Sequence, residues 1–549
     1  MKRYSIFCIL AALCWFATSC DDFLKENPRD AQPEEEGYRN ISELYLNAVA
    51  SLYNYVGGNS DSQGLQGTGR GVYDLNTFTT DEAIMPTRGG DWYDGGFWQG
   101  LFLHKWGVNN DAIQATWEYL YKVVMLSNSS LEHIETYALN HSDAELPAYR
   151  AEVRAFRAEV RAFRAMYYYY LMDLFGRIPV VVASKVASKD IVLSERKEVF
   201  DFIFRELQES APLLPAEFSN RSGNYYGRLT RPVAYFLLAK LALNVEIYTD
   251  NDWTDDTHPD GKAIFFDVDG SVFNAWQTVE AYCDKITALG YRLEPDYTDN
   301  FAVYNESSVE NIFTIPMNKT LYTNQMQYLF RSRHYNHAKA LGLSGENGSS
   351  ATIEALQTFG YETDEQDPRF DYCYYAGTVY DLKGNVVKLD DGTVLVYEPW
   401  KVKLDLSDES YEKTAGARMK KYEIDDKAMK DGKLMENDIV LFRYADVLLM
   451  KSEAKVRDGR NGDEELNLVR ARVGASQRTA TLTNLLAERQ MEFAWEGWRR
   501  RDLIRFGQFT RAYSSRPQLP DEESGYTTVF PIPEKIRQMN PGWKQHPGY

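Results

Sequence analysis

The stretch RAEVRAFRAEVRAFRAMYYYYLMDLFGRIPVV, Arg150 to Val181, writes the phrase AEVRAFR twice in succession, at 151–157 and 158–164. An exact heptad repeat narrows the fold sharply, because a helix returns almost to the same face after seven residues. Val153, Phe156, Val160 and Phe163 make one stripe at 3–4 spacing. Arg150, Arg154, Arg157, Arg161 and Arg164 make a second, and Ala151, Ala155, Ala158, Ala162 and Ala165 a third, roughly opposite the large residues. Glu152 and Glu159 fill the fourth face. The pattern predicts a helix with one large-residue face and one small-residue face, the requirement for packing between two layers. Seven extra residues lengthen a helix by about 10.5 Å and rotate the downstream residues by only ~20°. The duplication is therefore tolerable, although the pattern leaves open whether the second heptad extends the helix or loops out. Gly176 and Pro179 supply the stop, and four tyrosines, 167–170, point around a whole turn, so that some must be core with hydroxyls bonded at an edge.

Further helical periodicity falls at 41–58, 111–135, 198–210, 230–248, 275–290, 442–459, 464–474 and 482–509. Thr230 reads as an N-cap, with Pro232 just inside the start. Helix-turn-helix units in series point to a tetratricopeptide-like scaffold, although the 34-residue signature is absent. The pattern breaks over a Gly-, Asp- and aromatic-rich stretch from 57, over 291–440, and over the proline-punctuated 510–549. Within the second of these, VVKL and TVLVY flank Asp390, Asp391 and Gly392 and read as a hairpin.

With 80 acidic against 61 basic residues, the net charge is −19. That argues against nucleic acid and against an anionic membrane surface, which both need a basic footprint, and against a basic RNA-binding role for the arginine stripe. Thirty-eight tyrosines and 11 tryptophans suit neutral polar ligands such as carbohydrates. MKRYSIFCILAALCWFATSC has a short basic start, an apolar run and small residues before Cys20, a secretory signal. ATSC resembles a bacterial lipoprotein box, with Cys20 as the acylated residue; ordinary signal cleavage is the alternative. Residues 1–19 then form the signal and 20–40 the lipidated tether. Only Cys283 and Cys373 lie beyond, so no disulfide framework is expected.

Several stretches together resemble the RagB/SusD-like outer-membrane nutrient-binding lipoproteins of gut Bacteroidetes. They are SCDDFL, TTDEAIMPTRGGDWYDGGFWQG (79–100), RAFRAMYYYYLMDLFGRIPVV, YGRLTRPVAYFLLAKLALNVEIY, FRYADVLLMKSEA, ERQMEFAWEGWRRRDLIRFG and VFPIPEKIRQMNPGWKQHPGY. The extra AEVRAFR copy departs from the family pattern. The resemblance implies one mostly α-helical domain over 41–549, of about four tetratricopeptide-like helix-turn-helix units, with insertions at 57–110 and 291–440 forming an irregular ligand-binding face. It also implies a partner, a SusC-like TonB-dependent outer-membrane barrel to which captured oligosaccharides are delivered.

Sugar capture needs flat apolar platforms with a few hydrogen-bonding neighbours. GGDWYDGGFWQG supplies Trp92, Tyr93 and Trp98, beside Asp91 and Gln99, with glycines leaving room for close approach. NKTLYTNQMQYLFRSRHYNH (318–337) supplies Tyr322, Tyr328, Tyr335 and Asn336. Each platform is worth on the order of 1–2 kcal/mol if it removes ~50–80 Å² from water. His334 and His337 could share a metal but lack a third ligand. TDNDWTDDTHPDG (249–261) could hold a structural calcium ion, without the full loop spacing. No other cofactor is expected. Glu488, Glu492 and Glu496 share one helix face beside arginines, so structural ion pairs are expected rather than a glycosidase pair across a cleft. The expected function is therefore non-catalytic glycan binding on an outer-membrane lipoprotein. Oligopeptide binding, a lipid-anchored glycosidase and a pure scaffold are the alternatives.

Overall fold

The structure, a computed structural model, describes residues 37–59, 62–66, 69–141, 147–255, 257–321, 326–430 and 432–549. The signal, Cys20 and most of the tether fall outside them. Among the described residues, nine helices carry the scaffold: α1 (Asp111–Asn140), α2 (Pro147–Phe175), α3 (Arg196–Ser210), α4 (Arg231–Leu243), α5 (Ala275–Ala288), α6 (Tyr444–Arg457), α7 (Asp463–Arg472), α8 (Leu482–Phe493) and α9 (Arg499–Arg505). Each packs on the next in sequence as far as α7, and α8 packs on α6 and α9. Neighbours run antiparallel, since pairs such as Tyr119–Tyr167 and Asn128–Arg164, or Thr287–Tyr444 and Asn274–Asp458, keep nearly constant residue sums. This is the layered helical-repeat arrangement expected.

Local chemistry sets several starts. Asn110 Oδ1 accepts from the Ala112 and Ile113 amides (3.0 and 3.1 Å) and opens α1. Asn274 and Gln277 exchange side-chain and backbone bonds in a capping box at α5. The Thr230 hydroxyl, by contrast, makes no cap bond at α4, and only Pro232 behaves as expected there. Residues 41–55 are helical throughout, but as α, π and 3₁₀ segments in turn. The helix expected over 482–509 breaks after Phe493: Trp495 takes a positive φ of 65° and Gly497 one of 74°. The break turns the Trp495 amide onto buried Glu82, 3.1 Å away.

The duplicated heptad is one continuous part of the 29-residue α2. Its two copies have identical sequence and different surroundings. In the first copy only Val153 and Phe156 are buried; in the second every residue but Arg161 is. Glu152 is exposed, whereas its counterpart Glu159 accepts from Tyr53 Oη (2.6 Å) and Arg228 Nη2 (2.6 Å). Arg157 is exposed, whereas Arg164 reaches Asn128 on α1 and Glu206 on α3. The second copy bonds to both neighbouring helices, and α3 ends at Ser210, one residue beyond Glu209, the partner of Arg161. All four tyrosines are buried, because helices cover α2 on more than one side. Tyr167 Oη donates to the Tyr55 carbonyl (3.0 Å), and Tyr168 Oη bridges the Val181 amide and carbonyl.

Gly176 ends α2 at φ 65°, and a Cβ there would sit 3.0 Å from the Trp253 ring. Gly176→Ala is expected to lose about 2–4 kcal/mol through backbone strain plus this contact. A urea midpoint unchanged from wild type would count against that account.

The insertion at 291–440 is tied to the scaffold by β1 (Asn311–Ile315), antiparallel to β2 (Ile439–Arg443), which leads directly into α6. The expected hairpin is present, with Lys388 opposite Val394 and Gly392 at φ 86° in the turn. It carries a small core of its own, Val379, Val387, Leu395 and Tyr397. Both described cysteines, Cys283 and Cys373, are buried free thiols. Among the described residues no helix is long and apolar enough to cross a membrane.

Under the insertion lies a buried lattice of ions. Five carboxylates (Glu310, Asp367, Glu488, Glu492, Glu496) meet five cations (Arg369, Lys421, Arg443, Arg470, Arg472). Arg443 Nη1 reaches Glu310 (2.9 Å) and Glu492 (2.5 Å), while its Nε and Nη2 hold Glu496 (2.8 Å each). Burial pushes the Glu492 carboxyl up, but Arg472, Arg443 and Arg369 outweigh it and hold the group well below the usual carboxylate range. The ion-pair expectation for Glu488, Glu492 and Glu496 is met, with partners far away in sequence. Neighbouring Arg489, Arg499 and Arg500 turn instead to Asp446, Asp81 and Asp173.

Candidate functional site

The 89–100 loop is set by a tight turn. The amides and carbonyls of Arg88 and Asp91 exchange bonds (2.9 and 3.0 Å) around Gly89, which sits at φ 58°. Trp92 follows at φ 64°, and its Nε1 donates to the Glu346 carbonyl (2.9 Å). The ring lies over Gly348, where a Cβ would approach it to 2.8 Å. Arg88 fastens the base of the loop to the insertion. Its guanidinium donates to the carbonyls of Gly348 (3.2 Å), Glu412 (2.5 Å) and Ala415 (3.1 Å) and to Ser350 Oγ (2.8 Å).

This clamp brings together the two stretches singled out as binding elements, 89–100 and 318–337. Tyr335 Oη donates to Asp91 Oδ2 across 3.2 Å, joining residues 244 positions apart. Tyr93 and Tyr335 keep 58% and 47% of their surface exposed. Asp91 is exposed beside them and Trp92 is half-buried behind. The fastened loop and the chain around Tyr335 thus expose two phenol rings and a carboxylate, with indole support. Two flat apolar surfaces with polar edges can stack against sugar rings or peptide side chains and hydrogen-bond to hydroxyls or amides.

Other candidates turn inward. Trp98 is only 2% exposed, its Nε1 bonded to Asp94 (2.7 Å) and its ring packed on Phe78, Trp92 and Phe97. Its assignment as a platform is therefore corrected: the helical turn Phe97–Phe102 directs it into the core. Trp98→Ala is expected to cost about 3–5 kcal/mol of stability, read from thermal unfolding. Ligand retardation lost by this variant at a temperature where it is fully folded would contradict the assignment. Gln99 Nε2 is taken by Thr87 Oγ1. Asn336 Nδ2 holds the hairpin through the Lys388 carbonyl (3.1 Å) and Asp390 (2.9 Å), so it positions that element. Tyr322 lies outside the described residues, and Tyr328 sits in a short helix, Gln327–Arg331.

His337 Nδ1 meets Tyr397 Oη (3.1 Å), and His334 Nδ1 accepts from the Asn336 amide (3.1 Å). Burial, with nearby Arg333 and Arg418, pushes these imidazoles down to about 3 and about 4, so both are neutral. In the 249–261 loop, Asp250, Asp252, Asp255 and Asp260 each accept from an amide two residues on. Among the described residues, no three His, Cys, Asp or Glu side chains converge as a metal site.

Sequence reasoning missed Arg88, which bears no local sign of its long-range role. It also missed a cleft of about 480 Å³ in the insertion, lined by Tyr372, Tyr375 and Tyr422 with Asp299 and Lys420. A groove of about 670 Å³ lies away from both, between α1 and the C-terminal segment, against Trp117, Tyr121 and Trp543.

Repeated helix pairs supporting an irregular aromatic face define a class of surface-binding scaffold, and family models resolve which. A model described as the SusD family matches residues 276–549, and one described as starch-binding associating with outer membrane matches 22–243. The chain belongs to the SusD/RagB-like family. Among its relatives is the starch-binding protein SusD of Bacteroides thetaiotaomicron, 24% identical over 98% of each chain. Solved structures share the fold at lower identity. A laminarin binding SusD-like protein is 20% identical, with a TM-score of 0.66 over 93% of this chain and all of that one. Surface glycan-binding protein A from Bacteroides thetaiotaomicron, in complex with laminarihexaose, is 18% identical, with a TM-score of 0.65 over 92% and 99%. A SusD-like protein from Bacteroides fragilis is 17% identical, with a TM-score of 0.70 over 94% and 99%.

Proposed function

We propose that this protein is a non-catalytic glycan-binding lipoprotein of the outer membrane. It is anchored through Cys20, captures oligosaccharides outside the cell and passes them to a SusC-like TonB-dependent barrel. The observation that carries the reading is the exposed ring of Tyr335, bonded through its hydroxyl to Asp91 in the loop that also exposes the ring of Tyr93. The family and the names of its relatives, which bind starch, laminarin or surface glycans, supply the ligand class. Two or three platforms at about 1–2 kcal/mol each give modest affinity, which a hand-off step requires because release follows capture. Oligopeptide binding is the rival, since the same rings serve peptide side chains. A glycosidase finds little support: Glu488, Glu492 and Glu496 are buried and saturated by arginine and lysine.

Affinity gel electrophoresis against a polysaccharide panel including starch and laminarin tests the proposal. Retardation by at least one glycan, without new reducing ends, is the expected result. Retardation by none, with binding of oligopeptides instead, would move the function to the rival. Release of reducing ends would overturn the non-catalytic reading.

A further inference from the structure

Arg196 opens α3 and is 1% exposed, yet its Nε and Nη1 have no hydrogen-bond acceptor among the described residues. Its guanidinium carbon lies 5.2 Å from the Tyr248 ring centroid and 5.8 Å from that of Trp253. The Trp253 indole N–H is likewise buried without an acceptor. Both residues line a cavity of about 180 Å³ whose rim carries Asp255, His258 and Glu523.

The nearby carboxylates are already engaged. Asp250 bonds His258 Nδ1 (2.8 Å) and the Asp252 amide. Asp173 is shared by Arg500 Nη1 (3.2 Å), Arg501 Nε (2.9 Å) and Tyr248 Oη (2.7 Å). Two buried carboxylates, Asp173 and Asp250, thus stand among three buried guanidiniums, Arg196, Arg500 and Arg501, and neither accepts from Arg196 Nε or Nη1. Burial, reinforced by Arg501 and Arg196 against the pull of Asp173, lowers the Arg500 guanidinium to about 10.

A buried guanidinium whose N–H groups lack acceptors is costly, and its planar donor set matches the oxygens of an oxyanion. We propose that this cavity is a binding site for a small oxyanion, a carboxylate, sulfate or phosphate group seated on Arg196. Pockets for drug-sized ligands run to about 300–1,000 Å³, so this one suits a compact group. The exposed rim carboxylates of Asp255 and Glu523 favour an oxyanion that also carries hydroxyl or ammonium donors, such as a sugar acid. The site uses different elements from the Tyr93 face and does not depend on the glycan reading.

The test is thermal unfolding and titration calorimetry of the purified chain at constant ionic strength. Chloride is exchanged for sulfate, phosphate or glucuronate, for wild type, Arg196→Lys and Arg196→Met. The expected result is a saturable rise in Tm of about 2–4 °C with at least one anion. Binding should fall at least tenfold in Arg196→Lys, which keeps the charge and loses the fork, and vanish in Arg196→Met. If Arg196→Met fails to fold, the lysine variant carries the comparison. Glucuronate binding more tightly than sulfate and phosphate would assign the site to a sugar acid; the reverse order would assign it to an inorganic oxyanion. A wild-type response equal to that in chloride, or one unchanged in both variants, overturns the proposal.

Discussion

Replacing Tyr93 and Tyr335 together by alanine abolishes retardation by the cognate glycan and leaves the protein as stable as wild type. The two effects separate because the rings are 58% and 47% exposed and contribute little to the core. Exposed substitutions of this kind usually move stability by less than about 0.5 kcal/mol. Binding responds differently. Losing two platforms at about 1–2 kcal/mol each weakens affinity by roughly 30- to 1,000-fold, beyond what an affinity gel detects for a weak ligand. Each single variant should show partial loss, and Tyr335→Phe a smaller one, since it keeps the ring and loses only the bond to Asp91. Unchanged retardation in the double variant would move the site, with the cleft at Tyr372 and Tyr375 as the next place to mutate. A fall in Tm alongside the loss would mean that the rings support the loop and do not meet the ligand directly.

Arg443→Ala is expected to be among the most destabilising single changes in the molecule. It leaves Glu310, Glu492 and Glu496 facing one another with too few cations, all at most 4% exposed. Breaking a buried ion network from one side typically costs about 3–5 kcal/mol, because the orphaned charge stays buried. The loss should depend on pH. In wild type, arginines hold the Glu492 carboxyl well below its ordinary value. Its ionised form therefore stabilises the fold above the unfolded pKa, near 4.3, and that contribution fades as pH falls through the depressed folded value. The variant forfeits the contribution at neutral pH and retains a proton more readily. The gap between variant and wild type should thus be widest near pH 7 and narrow below about pH 4.5. Denaturant unfolding at several pH values would check this; a gap independent of pH would mean that packing, not charge, dominates. Because the lattice joins the insertion to α6, α7 and α8, the variant should also weaken glycan capture, in parallel with unfolding.

Much of the scaffold was readable from local spacing. The boundaries expected for α1, α3, α5 and α7 lie within a few residues of those observed, since 3.6-residue periodicity and Asn110 or Asn274 caps act over one or two turns. The break after Phe493 was not readable. AWEGW has no proline, and its positive-φ Trp495 is held by a contact to Glu82 more than 400 positions away. The binding stretches were located by their aromatic content, but which rings face outward was not. Trp98 and Tyr93 lie five residues apart in one glycine-rich phrase; one is core and the other solvent-facing. Only the fastening of the loop by Arg88, and the helical turn after it, separate them.

The duplicated heptad states the division most directly. Sequence alone determined the helical periodicity of AEVRAFR, and that a second copy continuing the same helix would keep the downstream tyrosines in nearly their original orientation, because helical geometry is a property of consecutive residues; that the second copy does continue the helix was decided by the structure. Sequence could not determine that Glu159 would be buried against Arg228 and Tyr53 while Glu152 stayed in water, since the two residues are the same in every local respect. Nor could it determine that Tyr335 would meet Asp91, or that Arg369 and Arg443 would converge on Glu492. Those outcomes depend on which neighbours the closed chain places within a few ångströms. Burial and charge pairing act between such neighbours through space, whatever their separation along the chain.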